Sequence, residues 1–452
     1  MRKFCLATLA TLFCIAVIFT GCKEKDPNNP TNQEIKDIDW DKIMTLPYSS
    51  LTPDEQKLKL EQECLDFIDL LDASSSSKAI KALQYLSDLL DQDDPDLDIS
   101  KKVSNTKEVF EISNVYGIFT WNASKREWTK TNSSSELKFV FPAQKGTSSN
   151  NATLSVKAEN SGVTYTETWE YYEWETGKYV TYEDTYHLPK SVTAIVSIDN
   201  KESAKIEVTA EYKNNKEVPV KQETTITTSE GYTYWYKVEK GDINKVSMKM
   251  IHNQTTMFEA LIKSDIKVDD IVDFDYDYDF DYNLLKDADA FIRLMDNLML
   301  VYQIDLKNFV KEMDNIDDEY YDKTEALWDN WRYNQNYFVL MGQYEKEKSD
   351  KRAIALNKNM TAALVSNKEN YKIADMLVKS EKDDEYWDYY QWDGSQWEWD
   401  WYLPYVKMYD YYWTNPYLKF NDNTEVEMSV YFSKGFNKLE QAFEDFINSF
   451  DW

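Results

Sequence analysis

Apolar and polar residues alternate through much of the middle of the chain. Val192, Ala194, Val196 and Ile198 form one run, and Ile206, Val208, Ala210 and Tyr212 form the next. Tyr232, Tyr234, Tyr236 and Val238 repeat the pattern, followed by Val246, Met248 and Met250. Turn-forming residues separate the runs: Asp199 with Asn200, Asn214 with Asn215, Glu230 with Gly231, and Gly241 with Asp242. A period of two broken by short turns predicts an antiparallel meander with one face buried and the other wet. Residues 116–121, 137–141 and 164–174 have the composition of further strands in the same sheet.

Helical spacing brackets this region. Thr52, Pro53 and Glu55 have the arrangement of a capping box with proline at the first helical position, where its missing N–H costs nothing. The helix they start runs to about Asp72 and gathers Leu60, Cys64, Phe67, Ile68 and Leu71 on one face. After four serines, Ile80, Leu83, Leu86 and Leu90 mark a second apolar stripe. Further on, Leu284, Ala288, Phe291, Met295, Leu298, Tyr302, Leu306, Phe309 and Met313 step by three and four, predicting one long helix with Asn283 as its N-cap. Another helix is expected over residues 316–335. Strands then resume at 362–366 and 371–379, a hairpin turns at Asp393 and Gly394, and a second turns at 421–423. A final helix is expected over residues 434–450.

Between sheet and helices lies an unusual run. Each odd position of residues 273–281 is Asp, from Asp273 to Asp281, and each even position from Phe274 to Tyr282 is Phe or Tyr. The run invites a calcium interpretation, yet an EF-hand loop needs glycine at its sixth position and an acid at its twelfth. Counted from Asp273, those positions hold Tyr278 and Leu284. As a strand, the run places neighbouring carboxylates roughly 7 Å apart on one face. Each such pair costs ~0.6 kcal/mol in water before salt roughly halves it. Burying the opposite row of rings, at ~1.5–3 kcal/mol each, outweighs that cost. A strand with a solvated acidic face therefore explains the run without a metal, and a cation site is the alternative.

Composition narrows the function. The 452 residues include 15 Trp, 33 Tyr and 20 Phe but only 10 Gly and 10 Pro, which suits long regular elements rather than disorder. The net charge of −30 excludes nucleic acid, which needs a positive surface to release counterions. Residues 101–267 are neutral overall, with 22 basic and 22 acidic side chains, whereas residues 268–452 hold 19 basic and 40 acidic. No H-E-x-x-H, G-x-S-x-G, P-loop or G-x-G-x-x-G motif is present. Of the two histidines, His252 continues the apolar face of Met248 and Met250, and His187 stands before Leu188 and Pro189 at an expected strand end. Neither suggests a Ser–His or zinc site, so an enzyme is not expected and no cofactor or metal is implied. A glycoside hydrolase, which needs only two carboxylates beside a sugar site, is the minor catalytic alternative.

The first residues speak to location. Arg2 and Lys3 precede an apolar run over residues 4–19, and the segment closes on Thr20, Gly21 and Cys22. This start resembles bacterial lipoprotein precursors of the Bacteroidota type, in which a small residue before Cys marks cleavage and the Cys sulfur takes the lipid. Phe19 stands where Leu is usual. The resemblance implies a signal peptide over residues 1–21, lipid attachment with palmitate-type acyl chains at Cys22, and residence at the outer membrane, periplasmic or surface-exposed. The run is shorter than the ~20 residues of a spanning helix, and no A-x-A site follows it. Glu24 and Asp26 loosely resemble the acidic residues associated with surface display in such proteins. With Cys5, Cys14 and Cys22 accounted for, Cys64 is alone and reads as a buried core thiol.

Residues 22–50, with Pro27, Pro30 and little apolar periodicity, read as a flexible tether. Residues 51–452 read as one α+β unit: a helical pair over 51–98, an antiparallel sheet over 101–283, helices over 284–349, then hairpins and a terminal helix over 350–452. The fold class is α+β, a long curved meander packed by helices on one face. Beyond the signal, this succession resembles uncharacterised lipoproteins of gut Bacteroidota, a likeness of texture that brings no activity with it. One candidate site stands out. Trp397, Trp399 and Trp401 alternate with Glu398 and Asp400, so a strand presents all three indoles on one side, as a platform for sugar rings or as core. The expected role is non-catalytic binding at the envelope, with a glycan or an envelope protein as partner. The alternatives are a lipid or lipoprotein carrier and a structural envelope component.

Overall fold

The computed structural model describes residues 35, 38–93, 95, 115–174, 176–214, 216–266, 285–295, 297–432 and 441. The run at 273–281, Cys22 and the expected terminal helix lie outside the described residues.

The chain folds as α+β around one large sheet. It begins with β1 (Gly117–Asn122), β2 (Glu127–Thr131) and β3 (Leu137–Phe141), and β1 and β3 are its parallel pair. Next come β4 (Ala152–Glu173), β5 (Lys178–Ile198), β6 (Lys201–Glu211), β7 (Lys221–Thr228), β8 (Tyr232–Glu239), β9 (Asn244–His252) and β10 (Thr255–Ser264). The meander continues through β11 (Asp287–Leu294), β12 (Leu298–Asp305), β13 (Met360–Ser366) and β14 (Tyr371–Asp388). A separate small hairpin, β15 (Tyr390–Trp392) with β16 (Trp397–Trp399), intervenes before β17 (Val406–Lys419) and β18 (Glu425–Glu427) close the edge. Among the described residues the sheet has 16 strands in the order β18-β17-β14-β13-β12-β11-β10-β9-β8-β7-β6-β5-β4-β3-β1-β2. Asp199 and Asn200 both adopt positive φ, at 51° and 62°, the twist a two-residue hairpin turn needs to match its strands.

The helices follow from their caps and stripes. α1 (Trp40–Met44) is short; α2 (Pro53–Ser75) starts at the expected capping box, with Thr52 Oγ1 and the Glu55 carboxylate bonding each other's backbone N–H. α3 (Lys78–Gln92) is capped by Ser77. Leu60, Cys64, Phe67 and Leu71 of α2 are buried against Leu364, Ile373, Tyr232, Met250 and Met257 of the sheet. Leu83, Leu86 and Leu89 of α3 meet Phe119, Phe139, Val196 and Ala204. At ~1.5–3 kcal/mol per large apolar side chain, these two stripes anchor α2 and α3 on the sheet. α4 (Leu306–Trp328), a 3₁₀ turn (Trp331–Tyr333) and α5 (Tyr337–Asn359) form the excursion between β12 and β13, and α6 (Met428–Tyr431) follows β18. Among the described residues, no helix is long and apolar enough to cross a membrane.

Three expectations are corrected. The stepping pattern over residues 284–313 is not one helix: β11 and β12 occupy 287–305, and the helix begins at Leu306, capped by Asp305. Phe291, Met299 and Val301 face Trp40 and Leu261 while Leu298 faces Leu60 and Cys64, so these strands are covered on both faces. Strands buried on both sides read as nearly continuous apolar runs, which can mimic helical spacing. Residues 38–50 are likewise no loose tether. Trp40 is buried with Ile35 against Trp235, Leu261, Phe291 and Met299, and Ser49 and Pro47 exchange backbone hydrogen bonds of 2.8 Å with Lys372. This segment covers part of the face expected to be wet, opposite α2. Finally, His187 is not at a strand end but inside β5, paired with Thr164; Pro189 is accommodated by the bulge at residues 160–163.

Candidate functional site

Counting strand direction along the antiparallel order, the loops after β5, β7, β9, β11 and β13 share one end of the meander, and each spans two to four residues. The opposite end carries the far ends of the β4–β5 and β14–β17 pairings and the connections after β10 and β12. The two pairings are ribbons that outrun the sheet. β14 pairs with β13 only through Met376, then continues with β17 alone to Asp388. The candidate site lies at the far end of this ribbon.

Strand alternation sorts its rings into two layers. Tyr386 and Tyr409, directly opposite each other, turn toward α5 and stack with its buried Phe338. Phe338 also meets Tyr390 at 5.3 Å and Trp397 at 4.9 Å between ring centroids. Trp397 Nε1 donates to the Asn334 carbonyl at 2.8 Å, which ties the small hairpin to the loop before α5. This inner layer is packing. Beyond it, Trp387 stacks on Tyr405 at 5.9 Å, Tyr405 contacts Tyr389 at 4.8 Å, and Tyr389 meets Trp399 edge-on at 6.4 Å. Trp387, Trp399 and Tyr405 are 41%, 54% and 56% exposed, so together they present a contiguous wet aromatic surface.

Carboxylates fix the orientation of these rings. Trp399 Nε1 donates to Asp388 Oδ1 at 2.8 Å, and Trp387 Nε1 donates to Glu385 Oε2 at 3.0 Å. Asp388 also accepts from the Tyr386 hydroxyl at 2.6 Å and the Tyr389 N–H at 2.7 Å. Burial works to raise the Asp388 carboxyl, but these donors outweigh it and hold it below the usual carboxylate range. The same environment pushes the Tyr386 hydroxyl up, through burial first and then Asp388. Glu385 belongs to a closed ring of ion pairs with Lys382, Asp410 and Lys407, the last two 3.0 Å apart. Held acceptors and oriented indoles make a preformed platform whose rings need little ordering on binding.

The three tryptophans singled out by their spacing do not share one flat row. β16 ends at Trp399, and Trp401 lies in the following turn, 70% exposed and edge-on to Tyr402. Trp397 belongs to the inner layer, so Trp399 alone joins the platform. The remaining members, Trp387, Tyr389 and Tyr405, come from strands and turns on either side of the hairpin. Their separation in sequence hid the cluster, and only the aromatic density of residues 386–413 pointed toward it. Elsewhere, Cys64 is 1% exposed and burial, with Glu63 and Glu61 nearby, pushes its thiol up to about 12. His252 stacks on Tyr232 at 4.3 Å, a packing role. Among the described residues, no three His, Cys, Asp or Glu side chains converge as a metal site. No protein-family model, curated protein or solved structure matches the chain.

Proposed function

We propose that this is a lipid-anchored envelope protein that binds carbohydrate without transforming it, on the platform of Trp387, Tyr389, Trp399 and Tyr405. The observation that carries this is the pairing of exposed, contiguous rings with carboxylates already engaged in orienting them. Sugar rings present C–H faces to aromatic surfaces and hydroxyls to carboxylate acceptors, and both partners lie together here. Asp388 and Glu385 hold indole N–H groups rather than standing open as an acid and base, so binding is better supported than glycoside hydrolysis. A carrier is less well supported, because the described contacts between α2 and the sheet are filled by Leu60, Cys64, Phe67 and Leu71 rather than opened into a lumen. The anchor rests on Gly21 and Cys22 and stands as part of the proposal.

Calorimetric titration with neutral oligosaccharides tests the binding. Trp387→Ala and Trp399→Ala are each expected to weaken it about five- to thirtyfold, the range for losing one stacked ring at ~1–2 kcal/mol. The proposal fails if no oligosaccharide binds, or if binding is indifferent to both changes. Metabolic labelling with a palmitate analogue tests the anchor: incorporation is expected in the wild type and lost in Cys22→Ala.

A further inference from the structure

The second ribbon makes a different surface. β4 pairs with β3 only over residues 152–156, and β5 pairs with β6 only over 191–198. Residues 160–189 therefore project as a two-stranded hairpin about 45 Å long, at ~3.3 Å per residue. No third strand or helix covers it among the described residues, although isolated two-stranded ribbons are marginal in water.

Register divides the ribbon into unlike faces. Tyr165 opposite Tyr186, Trp169 opposite Tyr182, and Tyr171 lie on one side, with rings stacked at 5.2–6.2 Å. Thr164, Thr166, Thr168, Thr181 and Thr185 occupy the other, together with Glu170, Glu183, His187 and, near the tip, the Tyr172–Tyr179 ring pair. On the aromatic side, Glu167 sits directly opposite Asp184, between the Tyr165–Tyr186 and Trp169–Tyr182 pairs. Like charges placed opposite each other destabilise a hairpin, and neither carboxylate has an ion-pair partner among the described residues. Over residues 160–189 there are six acidic side chains and one basic, Lys178.

Elsewhere this chain supplies its own lysines to such surfaces. Lys323 lies 4.4 Å from the Tyr320 ring beside Glu319 and Glu347; Lys379 lies 4.3 Å from Tyr417 beside Glu425; Lys372 lies 4.5 Å from Tyr48 beside Asp375. In each, a cation satisfies ring face and carboxylate at once. The ribbon repeats the rings and carboxylates, and its one lysine, Lys178, stands at the tip opposite Glu173 rather than between the Tyr165 and Trp169 pairs.

We propose that the aromatic face of the β4–β5 ribbon docks an extended, lysine- or arginine-bearing segment of a partner protein. The partner's cations lie over Tyr165, Trp169 and Tyr182 and pair with Glu167 and Asp184. The ribbon's two open edges offer backbone hydrogen bonds to an extended strand, which favours a peptide over a compact cation. The acidic excess disfavours an anionic lipid surface. This surface is separate from the glycan platform and stands or falls without it.

The test uses the full chain in detergent micelles and a labelled twelve-residue peptide alternating Lys and Thr, followed by anisotropy. The Lys-Thr peptide is expected to bind and a Glu-Thr control not to. Binding should weaken several-fold as salt rises from ~0.05 to ~0.15 M. The double change Glu167→Gln with Asp184→Asn should weaken it about tenfold, and Trp169→Leu with Tyr182→Leu by at least fivefold. Trp387→Ala should leave it unchanged. The carboxamide variant removes a repulsion, so the ribbon should remain folded, checked by near-UV circular dichroism. Absence of peptide binding, binding indifferent to both ribbon variants, or capture of neutral oligosaccharides or zwitterionic vesicles by the ribbon in place of the peptide overturns the proposal.

Discussion

Replacing Phe338 is the most direct way to ask whether the platform depends on the layer beneath it. Phe338 is 5% exposed and meets five rings: Tyr337, Tyr386, Tyr390, Trp397 and Tyr409. Phenylalanine-to-alanine changes in packed sites cost ~3–5 kcal/mol. Because the ribbon end lies at the surface and Trp397 can settle into the gap, the low end, ~3 kcal/mol, is expected for Phe338→Ala. Phe338→Leu keeps most of the apolar area and loses the ring geometry, at ~1–1.5 kcal/mol. The loss falls on one end of a long ribbon, so it should show as local opening before global unfolding. Amide exchange over residues 377–388 should accelerate ~100-fold in the alanine variant, while residues 232–239 of β8 keep their protection. An equal change in both regions, or less than a fivefold change at 377–388, would refute the claim that Phe338 holds the ribbon end. Oligosaccharide affinity should fall in both variants without any change to a platform residue.

Other outcomes follow from the packing. Trp40→Ala should destabilise by ~3 kcal/mol in urea unfolding, since the ring is buried among Trp235, Leu261 and Met299; a tether would show no loss. Thr52→Ala should cost ~1 kcal/mol by removing the capping box, and Thr52→Ser should restore most of it. Cys64 should resist a thiol reagent at pH 8 in the folded chain and react on unfolding. Its folded pKa, about 12, lies above the ordinary 9.0, so the folded state binds the thiol proton more tightly. That contribution is complete below pH 9 and is lost as pH climbs toward 12, whereas Cys64→Ala removes this slope from a stability–pH titration.

Local signals in the sequence carry through to the fold where one short-range rule governs. The capping box at Thr52 needs only three residues of spacing. The alternation from Val192 to Met250 survives because those strands carry unlike residues on their two faces, and Asp199 with Asn200 suits a tight turn in any context. The buried thiol of Cys64 followed from the helical face it shares. The pattern failed where the environment was two-sided. β11 and β12 are packed by α2 on one side and by Trp40 on the other, so no polar face remained to reveal a period of two. Trp40 itself lay in a polar stretch, and its burial depends on a sheet face more than 190 residues away in sequence.

By itself, the sequence determined an α+β chain built on an antiparallel meander, and a net charge of −30. Local periodicity and net charge are properties of the chain before it folds. Only the tertiary structure decided which aromatic residues are packing and which are surface. Trp397 and Trp399 have the same chemistry and neighbouring positions, yet Phe338 of a helix about 60 residues earlier claims one and leaves the other exposed. The platform and the acidic ribbon both arise from strands that outrun their neighbours, and strand length relative to a partner is fixed by pairing across the sheet, which no local pattern encodes.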